Sequence, residues 1–340
     1  MIFGLVYWQT TLIKVVGVIA AVLLPAGAFV QTYLFKMVSH LQSRLGPMEA
    51  GPHGSLQLLA EVGKSIQKED IVPERADRTV FKMAPYLIIA SVLLIYVVVP
   101  FGPDAFFANF DAGVFYALAV SSISVIGVLV AGWASANKYS LMGGLRAAGQ
   151  LIAYELPMVL AVVGVVIQAG SMNLQEIVAK QANGEIFGWG AIGNPYAFTQ
   201  IIWLFIFLVA MQAENTQTPF DMPVAESELV TGYMTEYSGL RFLLFFIGEF
   251  AAVGAFSAVA ATLFLGGWYF PGFSLTANYM NVVGPAILFA KVMVLAFIVF
   301  WVRFTYPRLR EDQLQMFAWK WLIPLSLLNI VATAVLKVVF

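Results

Sequence analysis

Cysteine is absent from the 340-residue chain, which excludes disulfides, thiolate-held zinc and iron–sulfur clusters ligated by this polypeptide. Histidine is nearly absent too. His40 and His53 stand without a second ligand at metal-binding spacing. Charge is scarce: charged residues make up 11% of the chain and hydrophobic ones 61%, against roughly a quarter charged in a soluble domain. Water therefore cannot be the main solvent. The sequence has no GxxxxGKS/T phosphate loop, no HExxH and no Ser-His-acid arrangement, and the glycine-rich SLMGGLRAAGQ follows no strand, so nucleotide binding and hydrolytic chemistry have no anchor. A net charge of -1, with bases and acids interspersed, gives nucleic acid no footprint. Any electrons that pass nearby travel on cofactors held by other chains.

What remains is a membrane protein in one domain, residues 1–340. A bilayer core of about 30 Å needs roughly 20 apolar residues per helix. By that measure eight spans are predicted, at about 12–36, 83–101, 114–136, 150–169, 197–213, 242–265, 284–302 and 319–338. Runs such as SVLLIYVVVP do not alternate apolar and polar residues, so helices are expected and not barrel strands. MIFGLVYWQTTLIK lacks a basic start and a small-residue cleavage site, so the first span is expected to be retained.

The bases set the orientation. Lys36, Arg44, Lys64, Lys68, Arg75, Arg78 and Lys82 fall in the first loop; Lys138 and Arg146 in the third; Arg241 in the fifth; Arg303, Arg308, Arg310 and Lys320 in the seventh. Even loops hold Lys180 alone. The odd loops, about 37–82, 137–149, 214–241 and 303–318, are therefore expected on the cytoplasmic side and both termini opposite. Within the first loop, Leu56, Leu59, Val62 and Ile66 recur at helical spacing while Gln57, Glu61, Lys64 and Lys68 face elsewhere. This predicts an amphipathic helix at about 55–68, lying in the membrane interface or on the surface of the loop.

An ionised carboxylate at the centre of a membrane helix costs about 2.5–3.5 kcal/mol even on a lenient scale. Glu155 falls in the first turns of the fourth predicted span, where the positive helix end is one explanation of its presence; Pro157 follows and can free backbone carbonyls for water. Glu249 lies about two turns inside the sixth, either working in a relay or tied to a neighbouring hydroxyl or base. For Lys291, inside the seventh, snorkelling to the nearer face is one reading and a buried functional charge is the other. The densest acidic tract is AENTQTPFDMPVAESELVTGYMTEYSGLR at 213–241, with Glu214, Asp221, Glu226, Glu228 and Glu236 against Arg241 alone. Two carboxylates about 6 Å apart repel by roughly 3 kcal/mol at an effective dielectric near 20, about two pKa units, and partial burial acts in the same direction. Such a row with intervening water conducts protons; a solvated acidic face for a basic partner is the other reading. The proline-bounded mixture at Thr218–Pro223 favours a packed segment.

RLGPMEAGPHGSLQ at 44–57, KEDIVP at 68–73, the 213–239 tract, FFIGEF at 245–250 and RFTYPRLREDQLQMFAWKWLIPL at 303–325 together resemble the membrane subunit lettered H of respiratory complex I. The resemblance runs from about residue 25 to 330. It implies a subunit of a proton-pumping NADH:quinone oxidoreductase-type translocase in an energy-converting membrane such as the bacterial plasma membrane. Such a subunit forms the tunnel for the quinone substrate and holds no redox cofactor. Flavin and iron–sulfur clusters are implied on partner subunits of the peripheral arm, one of which holds the terminal cluster and the quinone headgroup; other membrane-arm subunits are implied neighbours. The resemblance assigns Glu155, Glu214, Asp221, Glu226, Glu228 and Glu249 to an acidic proton path. It makes Arg44, Lys64, Arg303, Arg308 and Arg310 candidates for lining the tunnel or docking the partner. The family usually reads RxGPNRxG and NRxPFDLPEAExELV, whereas this chain has Met48-Glu49, Gln217 and Val224 at the corresponding places. Those departures keep open an equivalent subunit of a ferredoxin-linked or hydrogen-evolving complex without quinone. A stand-alone ion transporter is the third reading, although no internal repeat supports it.

Overall fold

A computed structural model describes residues 7–184, 193–273 and 279–339. Residues 1–6, on which the expectation of an uncleaved start partly rests, lie outside them. Among the described residues the protein is helical with no strand. Seven helical stretches are long and apolar enough to cross a bilayer, and Ile201–Glu214 is a shorter eighth, so this is a multi-pass, all-α membrane protein.

In chain order, α1 (Tyr7–Phe29) runs through a π-helical stretch, Val30–Met37, into one turn, α2 (Val38–Leu41). The amphipathic α3 (Gln57–Gln67) follows, then the spans α4 (Arg78–Val98), α5 (Gly113–Ala134) and α6 (Lys138–Ala169). Two short helices, α7 (Leu174–Asn183) and α8 (Tyr196–Thr199), lead into α9 (Ile201–Glu214). After the single turn α10 (Glu226–Leu229), spans α11 (Gly239–Phe264) and α12 (Met280–Thr305) lead to α13 (Glu311–Phe317). A π turn, Ala318–Leu322, joins α13 to α14 (Ile323–Val339).

The helix starts follow from local chemistry. Asp77 Oδ1 accepts the amides of Thr79 (3.2 Å) and Val80 (3.3 Å) at the start of α4. Asn137 caps α6 through Tyr139 (2.8 Å), and Asn173 caps α7 through Gln175 (2.9 Å); each satisfies amides that a helix start leaves without partners. Helix α6 ends on Gly170, whose φ of +66° suits glycine.

The structure places one boundary far from its expected position. The tract 137–149, expected as a loop, is helical from Lys138 onward, which makes α6 a 32-residue rod about 48 Å long. Its glycines are contact points. A methyl on Gly143 would come within 2.6 Å of the Tyr233 amide, and one on Gly144 within 3.3 Å of Gly132 on α5. Close backbone approach between membrane helices rewards small residues, and packing outweighs the poor helix propensity of glycine. Glu155 consequently sits in the middle of α6, so a helix-terminal position does not account for it.

Helix α9 is the converse. Its 14 residues reach only about 21 Å, short of a span of about 30 Å, and the polar loop that follows folds back into the protein. Glu214, Asn215, Gln217, Phe220 and Met222 are all buried.

Lys291 does not snorkel. Its ammonium donates to the carbonyls of Leu265 (2.6 Å), Gly267 (2.8 Å) and Tyr269 (2.6 Å), at and beyond the last turn of α11. A cation over orphaned C-terminal carbonyls satisfies both parties and pins α12 to the end of α11. Replacing it, as in Lys291→Met, leaves three carbonyls short of a donor, a loss of about 2 kcal/mol or more. The detergent-solubilised variant is expected to melt several degrees lower, and an unchanged midpoint would show that the clamp contributes nothing.

Candidate functional site

Two features converge on α11. The first is a pair of adjoining spaces. An apolar cavity of about 420 Å³ lies between α1, α3 and α11, walled by Leu23, Ala26, Val30, Leu34, Leu58, Val62, Phe242, Phe246 and Phe250. Glu61, Ser65 and Phe242 also border a polar cleft of about 510 Å³, lined further by Lys64, Lys68, Thr231, Thr235 and Ser238. Apolar space thus opens directly into polar space. The wall here passes from α1, at Leu23 and Ala26, into the π-helical stretch, at Val30 and Leu34, and Tyr33 Oη, one turn past Val30, donates to the Met293 carbonyl of α12 at 2.6 Å. The face of α3 that meets the protein is Leu58, Glu61, Val62 and Ser65; Leu59 and Ile66 of the predicted apolar face are exposed.

The second feature is the acids. Glu228, at the surface, is gripped by Arg146 Nη1 at 2.6 Å and by Arg308, and the bond to Arg146 holds its carboxyl below the usual range. Glu226 is exposed beside it on α10. Deeper, burial pushes Asp221 up from 3.8 to about 7, with Glu249 adding to the rise, Arg303 and Arg308 opposing it and Glu226 adding a little. Deeper again, Glu249 Oε1 receives Gln217 Nε2 at 2.6 Å and Arg303 Nη1 at 3.2 Å, while Arg303 also donates to Gln217 Oε1.

Past Glu249 lies a small cavity of about 60 Å³, bordered by Ser91, Ser121, Ser124, Glu214, Thr216, Tyr233 and Glu249. At ~30 Å³ per molecule it has room for about two waters. Glu214, on its far side, is buried with neither carboxylate oxygen bonded to protein. Such an acid calls for water or a proton of its own. Glu155 is near enough for its charge to act on Glu214, and it accepts a hydrogen bond from Ser122 of α5. The acids therefore form an inward succession, from Glu226 and Glu228 through Asp221 and Glu249, across the cavity to Glu214 and Glu155.

The family described as NADH dehydrogenase matches residues 13–334. The chain belongs to the NADH dehydrogenase family. Among relatives within it, a Brevibacillus brevis protein, named as the H subunit of NADH-quinone oxidoreductase, is 42% identical over 330 residues, covering 96% of this chain and 94% of that one. Proteins of the same name from Bacillus thuringiensis and Bacillus anthracis are each 43% identical over 307 residues, covering 90% of this chain and 87% of theirs.

Within this member of the NADH dehydrogenase family, all six acids expected in a proton path fall in one connected region. The five expected bases do not. Arg303 lies at Glu249, Arg308 braces Glu228 and Lys64 borders the polar cleft. Arg310 pairs on the surface with Asp312 (Nε–Oδ1 2.6 Å), and Arg44 donates to Gln42 at 2.8 Å. Glu249 is tied to a neighbouring base, Arg303.

Ser122, the other serines at the cavity and Tyr233 were not expected. The sequence does carry a signal for the serines: three hydroxyls in AVSSISVIG, an otherwise apolar stretch. Nothing marks Tyr233 apart from other aromatics. Among the described residues no cluster of acids and histidines has the geometry of a metal site.

Asp221 makes a direct test. Its native carboxyl holds a proton more tightly than the unfolded one, so the stabilisation is complete below pH 3.8 and is lost as pH rises through about 7. Asp221→Asn removes that dependence. The native protein is expected to lose thermal stability relative to the variant between about pH 4 and 7; parallel curves would show that Asp221 is not perturbed.

Proposed function

We propose that the chain is the quinone-guiding membrane component of an NADH-quinone oxidoreductase: it leads quinone to its reduction site and carries protons away from that event into the membrane arm. One observation supports this above the others: α11 borders both features. Phe242, Phe246 and Phe250 face the apolar cavity, and Phe245, Gly248, Glu249 and Ala252 of the same helix face the water-sized one. A change at the quinone route is one helix width from a buried carboxylate.

In this reading an isoprenoid tail lies in the cavity between α1, α3 and α11, and the headgroup advances through the cleft beside Lys64 toward a partner subunit that holds the terminal iron–sulfur cluster. This chain positions the quinone and supplies no electrons. Reduction of a quinone takes up two protons and changes the local charge. The acid row responds just inside its outer end, where burial raises Asp221 to about 7. Protons then pass through Glu249 and the cavity to Glu214, and leave by way of Glu155, which is partly exposed between α5 and α6 and faces a membrane-arm neighbour.

Glu228, held by two arginines, acts as a brace for α10 and not as a mobile carrier. The basic loops face the cytoplasm and the termini lie on the other side. The exposed Leu45, Met48, Leu59, Ile66 and Ile71, together with Arg44, form the docking surface for the peripheral arm.

Two variants of the assembled complex test the two halves separately. Val30→Trp fills the apolar cavity and is expected to raise the quinone KM about tenfold with proton uptake per turnover retained. Glu214→Gln is expected to lower proton uptake at least tenfold while quinone still binds. If Val30→Trp leaves KM unchanged, quinone does not travel there. Normal proton uptake in Glu214→Gln would remove the path.

A further inference from the structure

The residue that joins the outer and inner acids is an amide, Gln217, fully buried at the point where Glu249, Arg303 and the cavity meet. Its side chain is used at both ends. Nε2 donates to Glu249 Oε1 at 2.6 Å and to the Asn215 carbonyl at 3.1 Å, while Oε1 accepts from Arg303 Nη1. Arg303 itself reaches the same Glu249 oxygen at 3.2 Å, so both donors converge on Oε1 and Oε2 receives neither. From this geometry we propose that Gln217 is a positioning residue: it holds the Arg303 guanidinium against Glu249 and fixes the carboxylate with Oε1 bound and Oε2 turned to the cavity shared with Glu214. The inference rests on the proton path proposed above and assigns that path its point of control.

The physical case has three parts. An amide can bridge an acceptor and a donor at once because it carries both functions, and it does not titrate, so the bridge persists while protons pass. Bidentate and charge-assisted hydrogen bonds fix direction more firmly than a lone ion pair, and Arg303 has only one short contact with the carboxylate. The backbone is also committed here. Gln217 N donates to the Gln212 carbonyl at 3.1 Å, and Gln212 Nε2 returns a bond to Thr218 O at 2.7 Å, so the backbone that carries the amide is held in a closed turn. The groups facing Glu249 from the packed elements are Arg303 of α12, Asp221 and Gln217 of the loop, and Tyr233 and Glu214 at the cavity. Gln217 is the one among them that touches both the carboxylate and its counter-ion.

An isosteric substitution without donors, Gln217→Met, and one that keeps the acceptor but sets a second carboxylate against Glu249, Gln217→Glu, are to be compared in the assembled complex. Each is measured alone and with Glu249→Gln, by quinone-reductase turnover, quinone KM and proton uptake. Each single variant is expected to lose about tenfold in turnover and proton uptake with KM unchanged. Neither is expected to reduce activity further in the Glu249→Gln background, because a residue that acts through Glu249 has nothing left to position. A merely structural role would give losses that multiply.

Normal turnover in Gln217→Met, or losses that multiply in full with those of Glu249→Gln, would overturn the assignment. Failure of both single variants to assemble would do so too, since it would make the amide a folding requirement. If Glu249→Gln is itself silent, the proton path has failed, and the positioning role goes with it.

Discussion

A carboxyl group enclosed by membrane helices needs something to repay the loss of its hydration, and the bundle is arranged around that requirement. Glu249 has a guanidinium and an amide and Glu155 a serine hydroxyl, while Glu228, at the surface, has two arginines. Glu214 has none of these, only a cavity wide enough for water. The helices that surround the acids are otherwise close-packed and apolar, which keeps the effective dielectric low and makes each compensating group count for more than it would at a surface. Removing one partner therefore costs more than the bond itself, because the other is left buried and unmatched.

The same requirement explains the local architecture. A full-length fifth span would have filled the core with apolar side chains; at 14 residues α9 stops early, and the polar stretch after it is drawn into the protein. Glycines at 143 and 144 let α6 lie close to that stretch and to α5, and Gly232, with φ of +56° and Pro223 O against it, makes the bend that brings Tyr233 to the cavity. The acids come together because the backbone around them is short, small or tightly turned.

Much of this was legible in the sequence. Seven long apolar helices, the shorter α9, the amphipathic segment in the first loop and the presence of acids in or beside apolar runs could be read from hydropathy and from the rarity of carboxylates there. The beginning of α6 could not, because glycine-rich tracts look like loops until the neighbouring surface that needs them is known. The partners of Lys291 were hidden for a related reason: three backbone carbonyls carry no residue signature. Nor could the sequence show that Gln217 would stand between Arg303 and Glu249, since the three are spread over 87 positions, 217 through 303, and meet only by tertiary packing.

The Lys291 clamp has a mechanical consequence. The far end of α11 is nailed to α12, and its near end is tied to the segment after α3: Arg241 pairs with Asp70, and Ser238 accepts from the Ile71 amide and donates to the Glu69 carbonyl. From Phe242 to Leu265 the helix runs about 35 Å. Anchored at both ends, it behaves as a strut, which keeps its aromatic wall and Glu249 at a fixed spacing along one rigid body.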